Sequence, residues 1–240
     1  MDQVSKVYIK QIRTGKVKHL GTQGAKNPME RPWKTGMFKN EQSGKLWLSP
    51  TGLESDEIGD TVAHGGPEKA LFAYPEKHYN YWKKDLEMEI NTGAMGENLV
   101  IEGIDETDVC IGDTYEIGDA LVEVSQPRQP CWKPARRFGV IDFALRIQKS
   151  GRTGWYYRVL KEGYIEGDSM MVLKERPYPE WTIQICNQIM HERKKDLEAS
   201  ASLAACPLLA PNWKRRLDKR LEGRESRIEK RVYGPNKDTE

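Results

Sequence analysis

The chain has 240 residues, 38% of them hydrophobic, and its 38 basic residues nearly balance 36 acidic residues. This near-neutral balance argues against a general nucleic-acid-binding protein, which would need a strong basic excess. No stretch approaches the roughly 18 consecutive apolar residues of a membrane-spanning helix. The N-terminal sequence MDQVSKVYIK lacks the apolar segment of a secretory signal. We therefore expect a cytoplasmic protein that does not cross a membrane.

Alternating apolar and polar residues predict β-structure over most of the N-terminal part. Residues 7–15, VYIKQIRTG, predict a half-buried strand, and KALFAY over 69–74 predicts another that ends at Pro75. Residues 21–60 have the composition of short strands and loops. Between residues 96 and 125, alternating runs separated by Gly-Asp turns predict a meander of neighbouring strands.

Helices are predicted within and after this β-rich part. Aromatic and apolar residues at helical spacing predict a helix over 76–86, and a 3/4 pattern predicts an amphipathic helix over 138–149. Beyond the strand predicted for MMVLKERP and a pair of nearby prolines, three short helices follow, over residues 181–193, 195–205 and 211–223.

The fold class that these elements predict is α+β. A mostly-β domain over residues 1–178 is followed by a small three-helix module over 179–225 and a flexible tail over 226–240.

The most informative stretch is SQPRQPCWK, which contains Cys131. Residues 126–134 contain three prolines, at positions 127, 130 and 134, which remove backbone donors and fix φ, so we predict a stiff loop there rather than a helix or a central strand. Four cations and no acid lie between residues 128 and 137, and they favour the thiolate form of the cysteine. A thiolate is a soft metal ligand or a nucleophile, but an ordinary buried cysteine explains the stretch equally well.

The other three cysteines do not form a CxxC pair with Cys131 or with one another, which argues against a zinc ribbon or a thioredoxin-like site. In a reducing compartment each is by default a free thiol.

Further candidates lie in short turns. The Gly65-Gly66 pair permits a close backbone approach to a ligand beside His64, and it equally suits a tight turn. Glu97 and Asn98 lie in a turn before a strand, where a structural role is the simpler interpretation.

Two more stretches combine cations with features that suit anion or ring binding. RPWKTGMFK places Lys34, Thr35 and Lys39 around a glycine, a pattern suited to phosphate or to a solvated turn. Arg158 follows an aromatic cluster, where it contacts an anion or forms an ion pair.

Taken together, these segments resemble one family, the YiiM-like branch of MOSC-domain proteins, where MOSC stands for molybdenum cofactor sulfurase C-terminal. The segments that carry the resemblance are GLESDEIGD over 52–60, HGGPEKALFAYPEKHYNYW over 64–82, MGENL over 95–99, GDTYEIGDALVEVSQPRQPCWK over 112–133 and GWYYRVL over 154–160. The tail from Pro179 to Gly223 is similar to the three-helix module of that branch.

The resemblance implies a β-barrel-like domain that binds a pterin-based molybdenum cofactor, with Cys131 as the protein ligand of the metal. One soft thiolate suffices because the pterin dithiolene supplies two further sulfurs. The residues expected to bind the cofactor are Lys34, Thr35, His64, Gly65, Gly66, Glu97, Asn98, Arg128, Cys131 and Arg158, of which Lys34, Thr35, Arg128 and Arg158 are the expected anion contacts.

The resemblance also implies a reaction class, the two-electron reductive removal of a nitrogen-bound oxygen as water. The implied substrates are N-hydroxylated compounds such as 6-hydroxylaminopurine, hydroxylamines and amidoximes. The sequence has no flavin, haem or iron–sulfur motif, so a separate flavoprotein is the expected electron donor. The three-helix module is expected to dock this donor or a second copy of the chain, which would give a homodimer.

Two other functions remain open. A cofactor or sulfur carrier would use Cys131 in the same cationic setting without turnover of its own. A nucleic-acid-binding module would use the basic stretch over 214–231, but the acids interleaved with it argue against this function.

Overall fold

The computed structural model describes residues 7–61, 64–225 and 227–238. Its strands are β1 Val7–Thr14, β2 Lys18–Leu20, β3 Trp33–Thr35, β4 Asn40–Gln42, β5 Leu46–Ser49, β6 Gly52–Leu53, β7 Leu71–Pro75, β8 Leu99–Glu102, β9 Thr114–Ile117, β10 Ala120–Pro127, β11 Trp155–Lys161, β12 Gly163–Ile165 and β13 Met170–Glu175. Its α-helices are α1 His78–Leu86, α2 Lys133–Phe138, α3 Phe143–Ser150, α4 Ile183–His191, α5 Leu197–Ala205, α6 Pro211–Leu221 and α7 Glu229–Val232.

Seven strands close into a barrel in the order β13-β9-β10-β11-β7-β8-β1. The first and last strands of this order pair with each other through Val7 opposite Met171, which removes the open sheet edges. β7 and β8 are the parallel pair, and α1 lies in the connection between them, as a parallel crossover requires. The barrel and the helices that follow it confirm the predicted fold class.

The barrel interior is built from residues two apart on each strand, as the alternating sequence predicts. On β10, Val122 and Val124 are fully buried. On β11, Trp155 and Tyr157 are fully buried and their rings form a T-shaped pair with centroids 6.4 Å apart. The sequence analysis recognised the aromatic cluster of β11 but not its strand, because both faces of that strand carry large rings.

Helices α4, α5 and α6 share the hydrophobic core of the barrel rather than forming a separate core. Each of these helices contributes side chains to the same buried cluster as the strand residues. They are Cys186 and Ile189 of α4, Leu203 of α5, and Trp213 and Leu217 of α6. The module therefore stabilises the barrel directly. The division of the chain at residue 178 stays a prediction.

The prediction of one helix over 138–149 is wrong in its extent. α2 ends at Phe138, because Gly139 adopts φ 71° and caps it in the left-handed conformation, and α3 begins only at Phe143. The predicted stiff loop is also shorter than expected. β10 extends to Pro127, and α2 begins at Lys133 because Pro134 suits a first helical turn, where no backbone donor is needed.

The prediction of a flexible tail needs the clearest correction. Residues 227–238 contain α7 and a 3-10 turn over Gly234–Asn236, and they pack against the rest of the chain. Val232 is fully buried and Asn236 is 1% exposed. The sequence analysis missed this packing because the segment has few apolar residues and depends on polar contacts with distant parts of the chain. Residues 226, 239 and 240 lie outside the described residues.

Candidate active site

A cavity opens beside Cys131, next to the C-terminal end of β10. The empty space at this opening measures about 780 Å³ when open solvent is included. The lining comes from parts of residues 35–39, 51–60, 95–98 and 128–134, together with His64, Lys69, Ala70, Phe72 and Tyr156. The cavity thus gathers most of the motifs that the sequence analysis identified separately.

The Cys131 thiol is half-buried at the wall of this cavity. Burial alone would raise its pKa, but the charge of His64, a hydrogen bond with His64, the charge of Arg128 and the backbone N–H of Lys133 together lower the pKa to about 6. At neutral pH the sulfur is therefore a thiolate, the form that binds soft metals and acts as a nucleophile.

Arg128 is 6% exposed and lines the cavity. Its guanidinium lies 5.0 Å from the centre of the Phe72 ring, and its backbone N–H donates to the carbonyl of Gly154 at 3.0 Å. Its Nη1 has no hydrogen-bond partner among the residues that the structure describes. A buried cation with an unsatisfied donor is suited to an anionic ligand group.

A polar network of three side chains forms another part of the cavity wall. Lys39 forms an ion pair with Asp56, and Asn98 Nδ2 donates to Asp56 Oδ2 at 2.9 Å. Asn98 also accepts from the backbone N–H of Phe72 at 3.1 Å, which ties β7 to the start of β8. Burial lowers the pKa of Lys39, although the nearby Asp56 carboxylate opposes this shift.

Two glycines allow the cavity loops to approach closely. A Cβ at Gly36 would lie 2.2 Å from the carbonyl oxygen of Glu57, and one at Gly59 would lie 3.0 Å from the Cα of Thr35. The loop after β3 and the loop before His64 therefore pack backbone to backbone, which positions Thr35 at the cavity.

The predicted pair Lys34 and Thr35 divides between the two faces of β3. Thr35 is 1% exposed and lines the cavity, whereas Lys34 is exposed and lies outside the lining. Successive side chains of a strand point to opposite faces, so the two residues cannot both face one ligand. Lys39, noted beside them in the sequence but not assigned as an anion contact, is the lysine of this stretch that lines the cavity.

The two glycines of the HGGP motif set the backbone conformation of the turn and do not line the cavity. Gly66 adopts φ 94° and precedes the 3-10 turn over Pro67–Lys69, a conformation that favours glycine. A Cβ at Gly65 would lie 3.2 Å from the carbonyl oxygen of Thr61. The pair therefore shapes the turn that holds His64 at the cavity.

Glu97 is fully buried outside the cavity lining. Its carboxylate accepts from the Tyr79 hydroxyl and from the backbone N–H of Gly93 at 2.6 Å. This arrangement fixes the turn over 93–97. Burial raises the pKa of the Tyr79 hydroxyl, and the nearby charge of Glu97 raises it further.

Arg158 is not an anion contact of the cavity. Its guanidinium pairs with Glu68 and Glu123 and donates to the carbonyl of Leu208 at 2.8 Å. These partners are far apart in the sequence, and their meeting follows from the pairing of β10 with β11, in which Glu123 lies opposite Arg158. The residue therefore joins the barrel to the segment before α6.

Comparison with known proteins agrees with this architecture. The model of the MOSC domain matches residues 60–171, and the model of the YiiM-like 3-alpha helix domain matches residues 181–224. A barrel with a cavity at its cysteine loop, followed by three helices, thus defines the chain as a MOSC-domain protein.

Relatives and solved structures narrow the class further. The chain is 34% identical to Protein YiiM of Escherichia coli over 204 residues, which cover 83% of this chain and 91% of that protein. It is 38% identical to the Bacillus subtilis protein YflK over 75% of this chain and 81% of the relative. The crystal structure of YiiM from Geobacillus stearothermophilus matches with a TM-score of 0.75 and 33% identity, over 90% of this chain and 99% of that chain. The chain belongs to the YiiM family of MOSC-domain proteins.

A protein of Gibberella moniliformis named "Reductase" is 36% identical over 82% of this chain, which corresponds to 35% of that longer protein. The family and this relative support a function related to the molybdenum cofactor and an oxidoreductase type of role. Among the described residues, no helix is long and apolar enough to cross a membrane.

Proposed function

We propose that the chain is a molybdenum-cofactor-dependent reductase of N-hydroxylated compounds, with Cys131 as the protein ligand of the metal. The observation that carries this proposal is the half-buried Cys131, with its pKa lowered to about 6, at the wall of a cavity that the buried Arg128 also lines. The family and the relative named as a reductase support the same chemistry.

The residues present fit this cofactor in two respects. The cofactor offers a metal with affinity for thiolates, and Cys131 is a thiolate at neutral pH. The cofactor also carries a phosphate, and two buried cations, Arg128 and Lys39, line the cavity. Asp56 and Asn98 hold Lys39 in place, so the cation is positioned before the ligand arrives.

When bound, the molybdenum centre supplies the two electrons that remove a nitrogen-bound oxygen from the substrate. The chain supplies the thiolate, the cations that hold the cofactor's phosphate, and a cavity wall that limits access of water. His64 lies against Cys131, where its charge and its hydrogen bond favour the thiolate form of the sulfur.

Electrons would come from a separate flavoprotein, for which we propose the outer face of α6 as the docking surface. Arg215, Arg216 and Lys219 are exposed on this helix. Arg220, by contrast, is buried and donates to the carbonyls of Ile189 and Met190 at the end of α4. Deleting the module would expose the shared core, so the test is the Arg215→Glu, Lys219→Glu double variant, with the exposed Lys45→Glu as its control.

We expect the double variant to slow reduction driven by the flavoprotein while leaving reduction driven by a small chemical reductant unchanged. Equal loss with both electron sources, or loss in neither, would rule out α6 as the donor surface. The control should match the parent with both sources.

The experiment that tests the proposed function is reduction of 6-hydroxylaminopurine by protein made in a cofactor-producing host, followed over many turnovers. The parent should form the aminopurine repeatedly, and Cys131→Ser should form none, because a hydroxyl is a hard and largely protonated ligand. A parent that binds the cofactor but never turns over would instead be a cofactor or sulfur carrier.

A further inference from the structure

The segment over residues 227–238, which we call the C-terminal strap, crosses the loop that carries Cys131. The family model of the three-helix module ends at residue 224, so the strap lies outside it. Two of its hydrogen bonds go to the carbonyls of Pro130 and Trp132, the residues on either side of Cys131.

On one side of Cys131, the strap holds the carbonyl of Pro130. Arg231 Nη1 donates to this carbonyl, and Arg231 Nη2 donates to the Gln148 side chain on α3. A planar guanidinium suits this role because its donors reach two fixed acceptors at once. The arginine thereby ties the loop before Cys131 to a rigid helix.

On the other side, the strap holds the carbonyl of Trp132. Asn236 Nδ2 donates to this carbonyl at 3.0 Å, and Asn236 Oδ1 accepts from Arg136 Nε at 2.7 Å. Gly234 packs so closely that a Cβ there would lie 2.2 Å from the Trp132 ring. Asn236 is 1% exposed, so these hydrogen bonds are shielded from competing water.

Prolines restrict the loop, but they do not fix where it lies relative to the cavity. Pro130 has no backbone donor of its own, and the carbonyls of Pro130 and Trp132 are the acceptors that the strap holds. The loop is thus fastened immediately before and immediately after the functional cysteine.

We propose that the C-terminal strap positions the Cys131 loop, with Arg231 and Asn236 as the positioning residues. Without these two side chains the protein keeps its fold, but the loop opens locally and the Cys131 sulfur no longer holds one place at the cavity wall. This inference concerns the position of the thiol and holds whichever chemistry Cys131 performs.

The test compares Arg231→Gln and Asn236→Leu with the parent and with Lys230→Gln. The control removes the same charge from the same short helix, at an exposed residue with no contact to the loop. Two quantities are measured on the full chain: amide hydrogen exchange of peptides that span residues 126–137, and the plateau that the rate of Cys131 alkylation by iodoacetamide reaches at high pH. On this plateau Cys131 is ionised whether or not the loop is open, so the rate reports access to the sulfur and not its charge.

We expect exchange over 128–134 and alkylation of Cys131 to become about tenfold faster in both strap variants, the size expected when a charge-assisted or buried hydrogen bond that holds a locally opening segment is lost. Peptides from the barrel strands and the Lys230→Gln control should match the parent. Folded variants with unchanged exchange and unchanged alkylation would overturn the proposal, as would equal effects in the control.

A further variant covers the case in which Arg231→Gln does not fold. Arg231→Lys keeps the charge and the aliphatic stem, but a single ammonium cannot span both acceptors. It should show an opening of the loop intermediate between the parent and Asn236→Leu, and parent-like exchange in this variant would contradict the role given to the guanidinium.

Discussion

The Cys131 loop and the core between the barrel and α4–α6 hold the same side chain in opposite electrostatic surroundings. Burial raises the pKa of Cys186 well above its ordinary value and also raises that of Cys206. At Cys131 burial acts in the same direction, but His64 and Arg128 outweigh it and lower the pKa to about 6. The difference shows that nearby cations, rather than the degree of burial, decide which thiol is ionised.

The largest expected effect separates these thiols by reactivity. At pH 7 we expect iodoacetamide to alkylate Cys131 at least about a hundredfold faster than Cys186 or Cys206, because the core thiols react only after local opening. Peptide mass spectrometry of the folded protein measures each rate. Comparable rates at all three cysteines would contradict the contrast between the two regions.

A second comparison concerns Arg158 and Arg128, which were both expected from the sequence to be anion contacts. Arg158→Gln should lower the free energy of unfolding by about 3 kcal/mol, because it leaves the half-buried Glu68 and the buried Glu123 without their cation. Arg128→Gln should cost only about 1 kcal/mol, the loss of its contact with the Phe72 ring, because no carboxylate pairs with Arg128 among the described residues. Urea denaturation of both variants checks the order, and a larger loss for Arg128→Gln would reverse our assignment.

A smaller effect sharpens the role of His64. In His64→Gln the pKa of Cys131 should rise by about one unit, a tenfold change, because the variant loses a cation and keeps the burial. The measurement is the midpoint of the pH profile for alkylation of Cys131. The exposed His19→Gln should leave the midpoint near 6, and an unchanged midpoint in His64→Gln would show that Arg128 and the backbone suffice.

The contact between His64 and Cys131 also predicts that the stability of the fold depends on pH. The pKa of Cys131 is lower in the folded chain than the ordinary 9.0, so its stabilising contribution is fully present above pH 9 and is lost as pH falls through about 6. The free energy of unfolding should therefore rise between these values in the parent and rise less in Cys131→Ser. If the free energy of unfolding rose equally with pH in both proteins, ionisation of Cys131 would not contribute to stability.

The smallest expected effect tests the division of β3. Lys34→Gln should change the free energy of unfolding by less than about 0.5 kcal/mol, since the side chain is exposed. It should also leave Cys131 alkylation and cofactor content unchanged, whereas Lys39→Gln should reduce the cofactor content. Loss of cofactor in Lys34→Gln would mean that the outer face of β3 contributes to binding.

The fold was largely predictable because many of its strands alternate apolar and polar residues and because several of its helices end at or next to a glycine or proline. The boundaries of β1, β7 and α6 agree closely with their predicted segments. The break at Gly139 was not anticipated, since the apolar spacing continues across it and only the left-handed cap reveals two helices.

The candidate site was predictable where neighbours in the sequence remain neighbours in space. Cys131 and Arg128 share one loop, and both line the cavity. Arg158 and Lys34 lie outside the cavity lining, because their orientation depends on strand faces and on partners such as Glu68 that only the barrel brings together. The strap was missed for the same reason, because its contacts span about a hundred residues of sequence.

The central claim is that Cys131 holds the molybdenum cofactor, and metal and pterin analysis tests it most directly. Parent protein and Cys131→Ser, both made in a cofactor-producing host, are analysed for molybdenum and pterin after purification and a check of folding. We predict near-stoichiometric molybdenum and pterin in the parent and loss of the metal in the variant. A folded parent without molybdenum or pterin, or a variant that retains both in full, would contradict the account.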